Sequence, residues 1–165
     1  MEAAQFVKAL DMQAHPEGGF FKETYRSDGT MSEACLPPGM KGRRSYSTSI
    51  YYLLRQGEFS AFHRIRSDEG WHFYEGGPLL VHMINPNGHY SSVRLGRNLD
   101  DGEVFQFVVP AGTWFASEPG NGSAFSLVGC TVSPGFDFAD FELAGYDQLS
   151  SQFPQHATII QRLCR

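Results

Sequence analysis

"GEFSAFHRIRSDEGWHFYEG", residues 57–76, decides how this chain is read. Gly57 stands six residues before His63, Glu69 stands six after it, and Gly76 closes the run seven residues past Glu69. FSAFHRI (59–65) and WHFYEG (71–76) read as strands, with SDEG turning between them. Polar side chains spaced along such strands either form a solvated face or line a pocket.

Strands continue on both sides of this stretch. FFKETYRS (20–27) and SYSTSIYYLL (45–54) precede it; PLLVHMI (78–84), HYSSVRL (89–95), EVFQFVVP (103–110), TWFASE (113–118) and AFSLVGCTVS (124–133) follow. NPNG joins 78–84 to 89–95 as a hairpin turn. Short strands with turn signals at this spacing predict an all-β barrel or sandwich. Residues 2–11 predict a short amphipathic helix on Phe6, Val7 and Leu10, and the tail from Tyr146 turns helical, with Pro154 at a helix start. Between them, residues 27–44 form a long Pro/Gly-rich loop. SPGFDFADFE predicts a strap that closes the barrel, with Phe136, Phe138 and Phe141 inward and Asp137 and Asp140 capping turns.

Composition narrows the function classes. With 165 residues, 41% of them apolar, the chain is expected to be one globular domain over 1–165. A net charge of −5 without a basic block argues against nucleic acid. No run approaches the roughly 20 apolar residues of a membrane helix, and the charged N-terminus is unlike a signal peptide. Cys35, Cys130 and Cys164 are too few and too dispersed for a disulfide framework or a zinc site built on cysteine. The expectation is a reduced, soluble, cytoplasmic protein.

The spacing G-x5-H-x-h-x3-E-x6-G resembles the first motif of the cupin superfamily, whose members are small jelly-roll barrels. Ile65 stands where that motif has a second histidine, and in PAGTWF (110–115) Phe115 stands where the second motif has one. A finer resemblance is carried by HPEGGFFKETYRS, SIYYLL, FHRIRSDEGWHFYEGGPL, VVPAGTWF and VGCTVSPGFDFADFEL, in order from about residue 10 to 163. These stretches are similar to an uncharacterised cupin family defined as a domain of unknown function, whose barrel is similar to deoxysugar epimerases. The resemblance implies an all-β double-stranded β-helix with short terminal helices, a small-molecule ligand in the barrel, and a homodimer.

Candidate site residues follow. His63 and Glu69 occupy two ligand-equivalent positions, and His63 beside a carboxylate suits a general base. His72 joins them only if a bulge at Gly70 turns the strand, because side chains alternate. In that case His63, Glu69 and His72 form a two-histidine, one-carboxylate set for a divalent metal; otherwise no cofactor is expected. Tyr51 and Tyr74, with Tyr25 behind them, are candidates for the opposing acid. Trp71, Phe73, Tyr51 and Phe115 are expected as apolar walls, Glu17 as a ligand contact from the HPEGG turn, and Arg26 as a partner for an anionic substrate or for an acid. Three functions stay open: an epimerase or isomerase on a carbohydrate-like molecule, a binding module without catalysis, and a metal-dependent enzyme.

Overall fold

The computed structural model describes residues 2–165. In chain order its strands are β1 (Gln13–Ala14), β2 (Phe20–Arg26), β3 (Thr30–Met31), β4 (Arg44–Ser45), β5 (Thr48–Arg55), β6 (Ser60–Arg64) and β7 (Asp68–Gly76). They continue with β8 (Leu79–Ile84), β9 (Tyr90–Leu95), β10 (Gln106–Val109), β11 (Trp114–Pro119), β12 (Phe125–Ser133) and β13 (Glu142–Leu143). The helices are α1 (Ala3–Ala9), α2 (Tyr146–Gln152) and α3 (Ala157–Leu163). One sheet runs β1-β2-β5-β12-β7-β10 and a second runs β13-β6-β11-β8-β9, with antiparallel pairing throughout both. A small hairpin, β3-β4, forms inside the stretch read as loop 27–44.

Strand alternation explains how the sheets close on each other. Leu79, Val81 and Met83 of β8, Phe115 of β11, Tyr52 and Leu54 of β5, Trp71 of β7, and Val128 and Cys130 of β12 meet in one interior cluster. Their neighbours face outward and are also covered. Ile84, Trp114, Ala116 and Phe62 pack under α2 and α3 through Leu149, Ile160 and Leu163. Leu53, Phe125 and Leu127 pack under α1 through Phe6, Val7 and Leu10. Strands buried on both faces read as nearly continuous apolar runs, as in PLLVHMI. Each fully buried large side chain contributes about 1.5–3 kcal/mol of transfer free energy.

The structure corrects three expectations. β7 begins at Asp68, so Glu69 and Gly70 belong to the strand. Gly70 pairs regularly with Thr131 and Val108, and the register shift lies farther along, opposite Leu127 and Val128. No bulge at Gly70 turns His72 inward; the bulge of this strand lies near Tyr74. Second, the tail, helical as expected and with Pro154 opening a 3-10 turn, divides into two α-helices. Third, Asp137 caps a turn through the Ala139 N–H, but Asp140 does not. It is buried and receives Arg44 in a bidentate ion pair, Nε to Oδ2 at 2.7 Å and the second nitrogen to Oδ1 at 2.9 Å.

That pair ties the strap after β12 to β4, 96 residues away in sequence. A buried charge left without its partner is costly. Arg44→Ala should therefore lower unfolding free energy by about 3 kcal/mol in urea titration, with Arg44→Leu combined with Asp140→Leu recovering part of the loss. An unchanged midpoint for Arg44→Ala would contradict this account of the strap.

Candidate functional site

A cavity of about 330 Å³ opens at one end of the barrel. Its inner wall comes from the ends of β5, β7 and β12 (Thr48, Ile50, Glu69, Cys130 and Val132), with His63 and Ile65 from the β6 side. Cross-strand register places Thr48 and Glu69 on either side of Val132. Phe21, Glu23 and Arg26 of β2 form a second wall, and the strap supplies Phe136, Asp137, Phe138 and Phe141.

The turn at residues 15–19 delivers the remaining groups. Gly18 and Gly19 have φ of 114° and 74°, a region that L side chains rarely adopt. A Cβ on Gly18 would run into the Phe59 carbonyl, and one on Gly19 would lie 2.6 Å from the Leu53 carbonyl. The turn is thus pressed directly against the barrel. The buried Tyr52 hydroxyl donates to the Gly18 carbonyl, and the Ala61 N–H donates to the Glu17 carbonyl at 3.0 Å. Docked in this way, Glu17 reaches His63.

His63 and Glu17 are both buried, and His63 Nε2 lies 3.0 Å from Glu17 Oε2. The other ring nitrogen, Nδ1, lies 2.7 Å from the Ala61 carbonyl. A carbonyl oxygen can only accept, so Nδ1 carries a proton. Nε2 is left to face the Glu17 carboxyl in close polar contact. Burial pushes the Glu17 carboxyl up and the His63 imidazolium down from their ordinary values. Both shifts favour the neutral forms of the two groups. Glu69 lies in the same lining with its pKa raised to about 7, chiefly by burial.

His15 completes the polar group. Its Nδ1 accepts the Glu17 N–H at 3.2 Å, and its ring stands edge-on to Phe21 and Tyr52 and stacks on Phe138. The sequence placed His15 in a shaped turn without a role, because the interactions that carry it to the barrel mouth are made with Tyr52, Ala61 and Phe138. Phe115 touches His63, with ring centroids 4.1 Å apart.

The other candidates are placed as follows. Glu17, His63, Glu69 and Arg26 line the cavity. Arg26 pairs with Glu23, at 2.8 and 3.0 Å, and donates to the Phe136 carbonyl, so it holds an acid rather than waiting for an anion. Trp71 and Phe115 are interior core behind the site, and Phe73 packs against that core from deeper in the barrel. Tyr51 and Tyr74 pack against each other and do not line the cavity; Tyr74 is 47% exposed. His72 is also outside it, with Nε2 3.3 Å from Thr131 Oγ1. Tyr52, one position from Tyr51, is the tyrosine turned inward.

Comparison with known proteins agrees with this architecture. A family profile described as cupin superfamily (DUF985) matches residues 4–144. The chain belongs to this cupin family. Protein SO0799 from Shewanella oneidensis is 44% identical, covering 100% of this chain and 98% of its own, with a TM-score of 0.88. A hypothetical protein from Leishmania major is 35% identical over 99% of both chains, with a TM-score of 0.90. The uncharacterised Saccharomyces cerevisiae protein YML079W is 36% identical over 158 residues, 88% of this chain and 77% of that one. Oxalate decarboxylase from Bacillus subtilis, a protein with Mn(II) centres, is 15% identical with a TM-score of 0.54–0.55 and shares the cupin fold alone.

Two of the ligand positions of the cupin motifs are not filled by ligand residues in this chain. His63 Nδ1 is held by the Ala61 carbonyl, Ile65 and Phe115 stand at the other motif positions, and His72 lies outside the cavity. Among the described residues no three His, Cys, Asp or Glu side chains are grouped to hold an ion.

Glu69 also gives a pH signature. Its folded pKa is raised, so its contribution to stability is full below about pH 4.5 and is lost as pH rises through about 7. Between those limits the wild type should lose about 3 kcal/mol relative to Glu69→Gln, measured by urea unfolding across the range. Parallel pH dependences for the two proteins would contradict the buried placement of Glu69.

Proposed function

We propose that this cupin is an enzyme of epimerase or isomerase type, acting in the cytoplasm on a small, neutral, carbohydrate-like molecule bound in the barrel. The observation that carries the reading is the buried trio Glu17, His63 and Glu69 in one cavity wall, in which one carboxyl is half ionised near neutrality. General acid–base catalysis is most effective when the pKa lies near the working pH.

The base role expected of His63 passes to Glu69 in this reading, because His63 Nε2 is already engaged by Glu17. Glu69 takes a proton from carbon, and the Glu17–His63 pair returns one. Return to the opposite face of the same carbon is epimerisation; return to the neighbouring carbon, with the hydroxyl proton passing to the former carbonyl oxygen, is isomerisation. Proton transfer of this kind contributes typically 10²–10⁴-fold in rate.

Charge and size support the substrate class. Arg26, the one arginine of the lining, is already paired with Glu23, which leaves Asp137 and Glu69 without a cation and favours a neutral molecule over an anion. About 330 Å³ suits a single small ring or a short polyol, at the lower end of ligand pockets. Phe136, Phe138 and Phe141 offer ring faces to C–H groups across the mouth. A homodimer belongs to the same proposal: Val108 on the edge strand β10 and Phe105 beside it are both more than half exposed.

A non-catalytic binding module is favoured by one feature, the existing pairing of Arg26 with Glu23 and of His63 with Glu17. Thermal-shift screening of neutral sugars and polyols, followed by turnover assays on those that stabilise the fold, separates the two readings. Glu69→Gln and His63→Asn are expected to lose about 10²–10⁴ in turnover while keeping the ligand-induced shift. Stabilisation of the wild type without turnover would leave the binding module, and undiminished turnover in both variants would remove acid–base catalysis from this trio.

A further inference from the structure

His15 and His63 carry their protons in opposite senses, and the backbone sets each one. The Ala61 carbonyl fixes the His63 proton on Nδ1. The Glu17 N–H, which can only donate, fixes a lone pair on His15 Nδ1. The neutral His15 ring therefore carries its proton on Nε2. His15 Nδ1 is also 3.7 Å from Glu17 Oε1, beyond hydrogen-bond length, so no proton is held between those atoms.

The His15 ring is held on several sides. Phe21 stands at 4.7 Å and 82° and Tyr52 at 5.8 Å and 86°, both edge-on, and Phe138 lies over it at 6.5 Å and 29°. The ring lines the same cavity as Glu17, His63 and Glu69. One wall thus presents a fixed, uncharged N–H donor close to groups that exchange protons. A donor of this kind stabilises negative charge developing on an oxygen without giving up its own proton.

We infer that His15 is the electrophile of this site, donating its Nε2–H to the carbonyl oxygen of a small hydroxy-aldehyde or hydroxy-ketone whose adjacent C–H faces Glu69. This assignment rests on the acid–base reading above and narrows its substrate class to carbonyl compounds. In the step, the C–H bond breaks and its proton passes to the Glu69 carboxylate. The bonding pair forms the new C=C bond, and the carbonyl π pair moves onto oxygen as an enolate that accepts the His15 N–H. Return of the Glu17 proton to carbon restores the carbonyl and leaves Glu17 ionised. Transfer of the proton from Glu69 to Glu17 resets the site, with no oxidant or co-reactant consumed. Burial lowers the His15 pKa, which keeps the ring uncharged through neutral pH.

The test is exchange of carbon-bound hydrogen in deuterated water, followed by proton NMR, with dihydroxyacetone, glyceraldehyde and a panel of small aldoses as probes. His15→Asn is the decisive variant. Its Oδ1 stands where Nδ1 stood and still accepts the Glu17 N–H, but no donor reaches the Nε2 position. It should melt within a few degrees of wild type and lose about 100-fold in kcat, with KM changed only a few-fold. His15→Gln restores an N–H near Nε2 and should recover part of the rate. Wild-type rates in His15→Asn would overturn the role of His15 while leaving the acid–base reading intact. A wild-type protein that exchanges no probe, with Glu69→Gln equally inert, would overturn both.

Discussion

The backbone of Ala61 holds the site together through both of its polar groups. Its N–H binds the Glu17 carbonyl and docks the turn that carries His15 and Glu17. Its carbonyl takes the His63 Nδ1 proton and so leaves Nε2 to face the Glu17 side chain. One residue of β6 thereby fixes where the carboxyl sits and which ring nitrogen meets it. The interior excludes water from this contact, and an uncompensated charge there is expensive. Burial therefore favours a neutral carboxyl beside a neutral imidazole.

The barrel makes that arrangement affordable. Sheets covered on both faces give a rigid interior, and the end of the barrel at Thr48, Glu69 and Val132 is closed by the turn and the strap rather than by more strand. The strap in turn depends on the Arg44–Asp140 pair, which reaches across from β4. Polar function is confined to this end. Deeper in, the space between the sheets is filled by Trp71, Phe115, Leu79 and Val81.

Much of this architecture was legible in the sequence, because alternation and turn residues are local signals. The spacing of Gly57, His63, Glu69 and Gly76 located the two strands that supply His63 and Glu69, and the SPGFDFADFE strap lines the mouth of the cavity, although Phe138, expected inward, is more than half exposed. Register was harder. Tyr51 and Tyr52 differ by one position and face opposite sides, so a tyrosine chosen without the pairing partner is as readily wrong as right. His72 failed for the same reason: whether Gly70 bulges depends on its match to Thr131 and Val108, which are far away in sequence. The roles of His15 and Asp140 could not be read at all, since each is defined by distant partners, Tyr52 and Phe138 for one and Arg44 for the other.

The central claim is the protonation pattern of the Glu17–His63 pair. Nitrogen-15 NMR of the His63 ring near neutral pH measures it directly, because protonated and bare ring nitrogens resonate far apart. The account predicts an N–H signal from Nδ1 and an unprotonated Nε2. Protons on both nitrogens would mean an ion pair with Glu17, and a bare Nδ1 would mean that the Ala61 carbonyl does not set the tautomer; either result would contradict the account.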